Sequence, residues 1–174
     1  KLRSGLSRQT DGIMEWLDAI KRIRKESWFR QPNARLKKQI KKQISLLSRK
    51  LDRGEEFISR TRKGPVFGEG WFQDPRLNGV CNHTTRSHII LDIHRYLFAS
   101  AFALCNNRSP VMDDFPAELL PNHANCKSGN FADRFRVQLG NKPSTTITSH
   151  ISKDGHYYIH HDPKQCRSLT VREA

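Results

Sequence analysis

The chain reads as an α+β protein: a basic N-terminal helical hairpin, a further helix, then a small antiparallel sheet with a hairpin at Asp154-Gly155. Three observations predict this. Apolar residues recur at helical spacing through the first third of the chain and again around residue 90. Beyond about residue 130 the apolar interval falls to two, the period of a strand. Between the last two alternating runs stands an Asp-Gly pair, and glycine tolerates the positive φ that tight hairpin turns demand.

Taken in order, Ile13, Trp16, Leu17, Ile20 and Ile23 share one helical face, with acidic residues toward the front, where the helix dipole favours them. The stretch FRQPNAR breaks that helix. Leu36, Ile40, Ile44, Leu47 and Leu51 then form a second stripe, flanked by Lys37, Lys38, Lys41, Lys42, Arg49 and Lys50, and Gly54 falls where a C-terminal cap would. FGEGWFQDPRLNG is rich in Gly, Pro and aromatics, which predicts a loop with packed rings. Ile89, Ile93, Leu97, Ala101 and Leu104 predict a third helix from about Thr85 to Leu104, opened by a Thr-Thr cap and carrying a polar stripe of Arg86, His88, Asp92 and Arg95. After an irregular span to about Asn130, RFRVQ, STTITSHI and HYYIHH read as strands, the last closed by Asp162-Pro163. Near the end, Thr170 and Glu173 have capping-box spacing, so TVREA reads as the first turn of a helix cut short.

The formal net charge is +14 over 174 residues, a surplus that favours polyanions such as nucleic acid. It is unevenly placed. Residues 1–64 hold 19 Lys+Arg against 7 Asp+Glu, leaving 12 against 10 for residues 65–174. Two units are therefore expected: a basic helical extension or insertion over 1–64, and a second domain over 65–174. The longest apolar run, Tyr96 to Leu104, is interrupted by Ser100 and falls far short of the ~18 residues that span a bilayer, so no membrane partner is expected. The first residues lack the apolar core of a signal peptide, and four scattered cysteines, at 81, 105, 126 and 166, fit free thiols in a reducing compartment.

The residues that could do chemistry by themselves are weakly grouped. Cys81, His83, His123 and Cys126 contain the ligand types of a structural zinc site, but the spacing within each pair is loose and the separation large, so packing and loop roles are the stronger reading and no metal is expected. The alternating histidines of HYYIHH fit cross-strand pairing better than a nuclease metal site. FGEG follows no buried strand and opens no helix, unlike a glycine-rich cofactor loop. Lys37, Lys38, Lys41 and Lys42 could lie along phosphates or simply be solvated.

The last 40 residues are the more specific signal. Arg167, Leu169, Thr170, Arg172 and Glu173 form an Arg-x-Leu-Thr-x-Arg-Glu pattern that resembles the ninth sequence motif of bacterial DNA cytosine-5 methyltransferases, and the likeness extends upstream to about Thr85. Residues 1–64 resemble no recognised family. The resemblance implies a parent enzyme that transfers a methyl group from S-adenosylmethionine, in a restriction-modification system or alone, in a bacterial cytoplasm. Such enzymes attack a flipped-out cytosine with a Cys that follows Pro, assisted by a Glu-Asn-Val glutamate, and hold the cofactor at a Phe-x-Gly-x-Gly turn. None of these is present: the cysteines follow Val80, Leu104, Asn125 and Gln165, and both other motifs are missing. No catalytic residue and no cofactor is therefore expected in this chain.

What lies ahead of the ninth motif in this family is the target recognition domain, which reads duplex DNA in the major groove. The resemblance puts the recognition core, a Thr followed by an aliphatic residue, at Thr146-Ile147, with Thr145 the adjacent choice. A Thr hydroxyl can contact a base edge and its methyl a thymine, although the same residues make an ordinary β-branched strand. Lys142, Ser144, Ser149, His150 and Lys153 are expected beside it as further contacts to double-stranded DNA. Arg167, Arg172 and Glu173 are expected to dock this domain on the missing catalytic core of the same protein. The alternative is a stand-alone basic nucleic-acid-binding module without catalysis.

Overall fold

The computed structural model describes residues 12–47, 52–59, 76–122, 133–152 and 155–174, with the side chains of His150 and Ser152 outside the description. It contains helix α1 (Ile13–Arg22), helix α2 (Ala34–Ser45), strands β1 (Phe57–Ser59) and β2 (Gly79–Cys81), and helix α3 (Ile90–Asn106), in that order. Short 3-10 turns connect and follow them. The α+β class holds.

Helix α1 buries Leu17, Ala19 and Ile20, the face its sequence period requires, and a 3-10 turn (Ile23–Lys25) brings Ile23 in behind them. A second 3-10 turn (Ser27–Arg30) buries Trp28 and Phe29, so the break before α2 is itself part of the core. Asn33 caps α2, its side-chain oxygen accepting from the Leu36 N–H at 2.9 Å. Leu36, Ile40 and Ile44 face inward. The helix ends at Ser45 with Leu46 as its C-cap, earlier than the stripe to Leu51 predicts, and residues 48–51 lie outside the described residues. Gly54 is not the cap. Its φ of +73°, and a His83 carbonyl oxygen standing where a Cβ would be, show a backbone pressed against a neighbouring segment.

That neighbour is the β2 arm. Strands β1 and β2 pair antiparallel with Ile58 opposite Val80, and the contact continues through Asn82 N–H to Glu56 O at 2.8 Å and Thr85 N–H to Arg53 O at 2.7 Å. Thr85 is thereby committed to an extended segment. This is why α3 begins at Ile90 rather than at the Thr-Thr signal: the residues before it are already hydrogen-bonded across to residues 53–56.

Helix α3 is central. It buries Ile93, Tyr96, Leu97, Phe98, Ala99, Ala101 and Ala103, and α1 and α2 both pack on it. A helix covered on most sides needs no polar face of its own, and its two charged residues are clasped inside. Asp92 Oδ1 and Arg95 Nη1 are 2.8 Å apart, Arg95 also donates to the carbonyls of Leu119 and Leu120, and His156 Nε2 lies 3.3 Å from Asp92 Oδ2. Burial pushes the Asp92 carboxyl up, but the hydrogen bonds from His156 and Arg95 outweigh it and hold the group below the ordinary range. The helix stops at Asn107, left-handed at φ 51°, whose N–H closes on Ala103 O.

Helices α1 and α2 and the later residues thus share one core. His94 Nε2 meets the Ala19 carbonyl at 3.1 Å, and the Glu118 carboxylate accepts from Ser27 Oγ and Gln31 Nε2. The Gly64-Pro65 join lies outside the described residues.

The antiparallel pairing sits at β1 and β2, whereas the expected STTITSHI–HYYIHH hairpin does not form among the described residues. RFRVQ and HYYIHH run side by side, but in parallel, through the bridge Val137 to Ile159, and Ile159 bridges antiparallel to Ser168 on its other side. The partner that sequence pairing assigned to residues 144–151 is taken by residues 167–169. Residues 143–148 are irregular and Ser149–Ser152 is a 3-10 turn. Gly155 does have φ +69°, yet a Cβ there would lie 2.6 Å from the Ser168 Cβ, so close approach as well as turning demands glycine. Asp154 lies outside the described residues.

Candidate nucleic-acid interface

Ser144, Thr145, Thr146 and Thr148 line an open groove of about 660 Å³ whose other wall is Arg136, Tyr157 and Tyr158. The groove exists because the extended segments at Val137 and Ile159 are hydrogen-bonded together, Gln138 N–H donating to Ile159 O and Ile159 N–H to Arg136 O, and the 144–148 loop is draped over their end. Two side chains hold it there. Gln138 donates from Nε2 to Tyr157 O at 2.7 Å and to Thr145 Oγ1 at 3.2 Å, while its Oε1 accepts from Ser144 Oγ and the Thr145 N–H, both at 3.2 Å. The buried Tyr158 carries its hydroxyl to the far half of the loop, accepting from the Thr148 N–H at 2.8 Å, meeting Thr148 Oγ1 at 3.0 Å and donating to Thr146 O at 3.3 Å.

This geometry separates the two threonines that the sequence placed together. Both are exposed, but the Thr145 hydroxyl is engaged by the Gln138 amide. The Thr146 hydroxyl has no hydrogen-bond partner among the described residues. Ile147 is half-buried; Lys142 and Ser149 are exposed. The His150 side chain and Lys153 lie outside the described residues. Arg136 pairs with Asp133 at the groove's edge. Gln138, Tyr157 and Tyr158 were not singled out from sequence: a glutamine ending a strand and tyrosines in an alternating run carry no local mark of their partners.

On α2, Lys38, Lys41 and Lys42 are exposed and Lys37 is half-buried. Spaced three and four apart, Lys38 and Lys41 or Lys42 follow one side of the helix, opposite the buried Leu36, Ile40 and Ile44. A ridge of this kind suits a polyanion backbone.

The residues expected to dock another domain are engaged within the chain. Arg167 and Glu173 form a two-point ion pair at 2.6 and 2.7 Å, and Thr170 and Glu173 complete a reciprocal capping box, Thr170 N–H to Glu173 Oε2 at 2.9 Å and Glu173 N–H to Thr170 Oγ1 at 3.3 Å. Burial pushes the Glu173 carboxyl up, but Arg167 and the Thr170 N–H outweigh it and hold it at about 2. The Arg172 N–H donates to Asn82 O, tying this turn to the end of β2. His83 Nδ1 lies 3.1 Å from Thr170 Oγ1, and beside them His160 is drawn down to about 4, first by burial and then by Arg167. These groups line a second cleft of about 380 Å³ in which acids and bases already answer one another.

Among the described residues no group of His, Cys, Asp and Glu is arranged to hold a metal; His123 and Cys126 of the weighed zinc set lie outside them. Cys81, Cys105 and Cys166 are free thiols. Cys166 is fully buried, which raises its thiol well above the ordinary range. No described helix is long and apolar enough to cross a membrane.

No family model matches the chain, and no solved structure does. It is 44% identical over 96 residues to the Type II methyltransferase M.Bpa9945I of Bacillus paralicheniformis, a match that takes in 55% of this chain and 21% of that protein. The chain therefore spans about a fifth of the length of the curated relative it matches. A methyltransferase-related region lies within it.

Proposed function

We propose that this chain is the DNA-binding target recognition portion of a DNA cytosine-5 methyltransferase, reading a short duplex site for methyl transfer from S-adenosylmethionine by a catalytic core outside these residues. The observation that carries the reading is the identity to a Type II methyltransferase. Three others support it: the Arg167-to-Glu173 motif, the outward Thr146 in a polar groove, and the lysine ridge of α2. The proposal gives the parts separate work. Thr146 and Ile147 contact base edges, with Ser149 beside them. Lys142 and the α2 lysines take phosphates, fixing register and supplying salt-sensitive affinity. The Arg167–Glu173 turn presents a rigid edge to the core.

S-adenosylmethionine belongs, in this proposal, to the parent enzyme. Helices α2 and α3 begin after Asn33 and Ile89, neither of them at the end of a strand and glycine-rich turn that could cradle the cofactor. The bacterial cytoplasm is where such an enzyme would meet its DNA.

Selection from a randomised duplex pool by the 174-residue chain tests the reading. Enrichment of one short sequence is the expected result. Binding that falls steeply with salt without enriching any sequence would replace it with a general nucleic-acid module, and absence of DNA binding would leave a helical hairpin that docks an acidic protein.

A further inference from the structure

The groove loop is exposed and irregular, yet it is tied down at nearly every residue by two side chains from outside it. From this we infer that Gln138 and Tyr158 form a two-point clamp that fixes the presentation of Thr146, and that sequence preference depends on the clamp. Gln138 uses both ends of its amide on the loop's entry: Oε1 holds Ser144 Oγ and the Thr145 N–H, and Nε2 holds Thr145 Oγ1. The same Nε2 is anchored on Tyr157 O, so the amide is oriented by the neighbouring extended segment rather than by the loop. Tyr158, itself 2% exposed, holds the exit through the Thr148 N–H, Thr148 Oγ1 and Thr146 O. Thr146 is the residue between the two points.

The physical argument is preorganisation. A hydroxyl on a loose loop must be ordered at the moment of binding, and that cost falls on matched and mismatched duplexes alike while the geometry that tells them apart is lost. Phosphate contacts by lysines tolerate displacement, because they act as point charges. Loosening the clamp should therefore erase discrimination and leave bulk affinity. Gln138 and Tyr158 are positioning residues; neither is assigned a contact with DNA.

The inference rests on the recognition reading above, and the test separates the two. Gln138→Ala and Tyr158→Phe are compared with the unaltered chain in three measurements: enrichment from a randomised duplex pool, salt dependence of binding to a non-enriched duplex, and amide hydrogen exchange at Thr145 and Thr148. The expected result is exchange about fivefold or more faster at Thr145 in Gln138→Ala and at Thr148 in Tyr158→Phe, the loss of one hydrogen bond's protection. Preference should fall about tenfold in each, with the salt slope unchanged. Faster exchange with preference intact would overturn the inference while leaving the recognition reading standing. An unaltered chain that enriches no sequence would overturn both. If both variants lost their cooperative melt along with preference, these residues would be structural and the inference would fall; Tyr158→Phe, which removes one oxygen and keeps the buried ring, is the variant chosen to keep the fold.

Discussion

At Thr145 the hydroxyl is within 3.2 Å of the Gln138 amide nitrogen, whereas the Thr146 hydroxyl finds no described partner. Replacing either with Ala should therefore have different effects. Thr146→Ala is expected to relax base preference at one position by about 1 kcal/mol, one neutral hydrogen bond, without changing stability. Thr145→Ala should weaken preference at several positions by loosening the loop. Competition binding against single-base variants of the selected site reads both, and identical profiles would contradict the division of roles. Glu173 offers a stability measurement at the same scale. Glu173→Gln keeps the shape but removes the charge facing Arg167, and for a half-buried pair screened by solvent the expected cost is about 1 kcal/mol, read as a lower melting temperature. The motif Arg167 to Glu173 was legible in the sequence, as was its capping-box spacing. That Arg167 would turn back onto Glu173 was not, because the pairing depends on a six-residue turn whose path is set by its contact with Asn82.

Helix α2 is where composition most directly implies behaviour. If its lysine ridge follows a DNA backbone, neutralising Lys37, Lys38, Lys41 and Lys42 to Gln should flatten the plot of log affinity against log salt by about 0.9 for each phosphate left without its lysine. An unchanged slope would show that the ridge faces something else. The buried side of the same helix makes an independent prediction. Ile40 is 0% exposed in the core shared with α3, so Ile40→Ala should cost about 2–5 kcal/mol. The apolar stripes of α1 and α2 marked both helices correctly in type and face. Their lengths were less legible, since the Leu47–Leu51 continuation of the stripe runs past the observed end at Ser45. The third helix started late for a different reason: Thr85 is a good cap by residue type, but its backbone is already spent on Arg53.

Across the whole molecule, three buried or half-buried groups predict the response to acid. His88 is pulled down to about 3, chiefly by burial, and His160 to about 4. Glu173 is held at about 2. All three bind protons more readily once unfolded, so stability is highest above 6.5 and falls with pH, His88 and His160 becoming costly from 6.5 downward and the Glu173 contribution being lost from 4.5 toward 2. Thermal melts should shift steadily downward between pH 7 and pH 4. His88→Gln, which keeps an acceptor for the Ser168 N–H but cannot titrate, should shallow that slope, and an unchanged slope would remove His88 as a cause. Because α1 and α2 share their core with α3, unfolding should also be a single transition with the Ile40→Ala variant shifted as a unit.

Local and repeated signals in the amino-acid order were enough to specify the helical stripes and their burial side, the concentration of charge in residues 1–64, the α+β class and the Arg167–Glu173 motif. These need only periodicity, residue type and short spacing. Which extended segments became partners, and which threonine hydroxyl was taken up by Gln138, emerged only from packing in three dimensions. Alternating runs specify a face but not a mate, and three extended segments competed for Ile159; residues 136–138 and 167–169 took its two sides, leaving 144–148 as a loop. Only then did Gln138 and Tyr158 come within reach of that loop, because their bonds to it are made across 6 to 12 residues whose path no local pattern encodes.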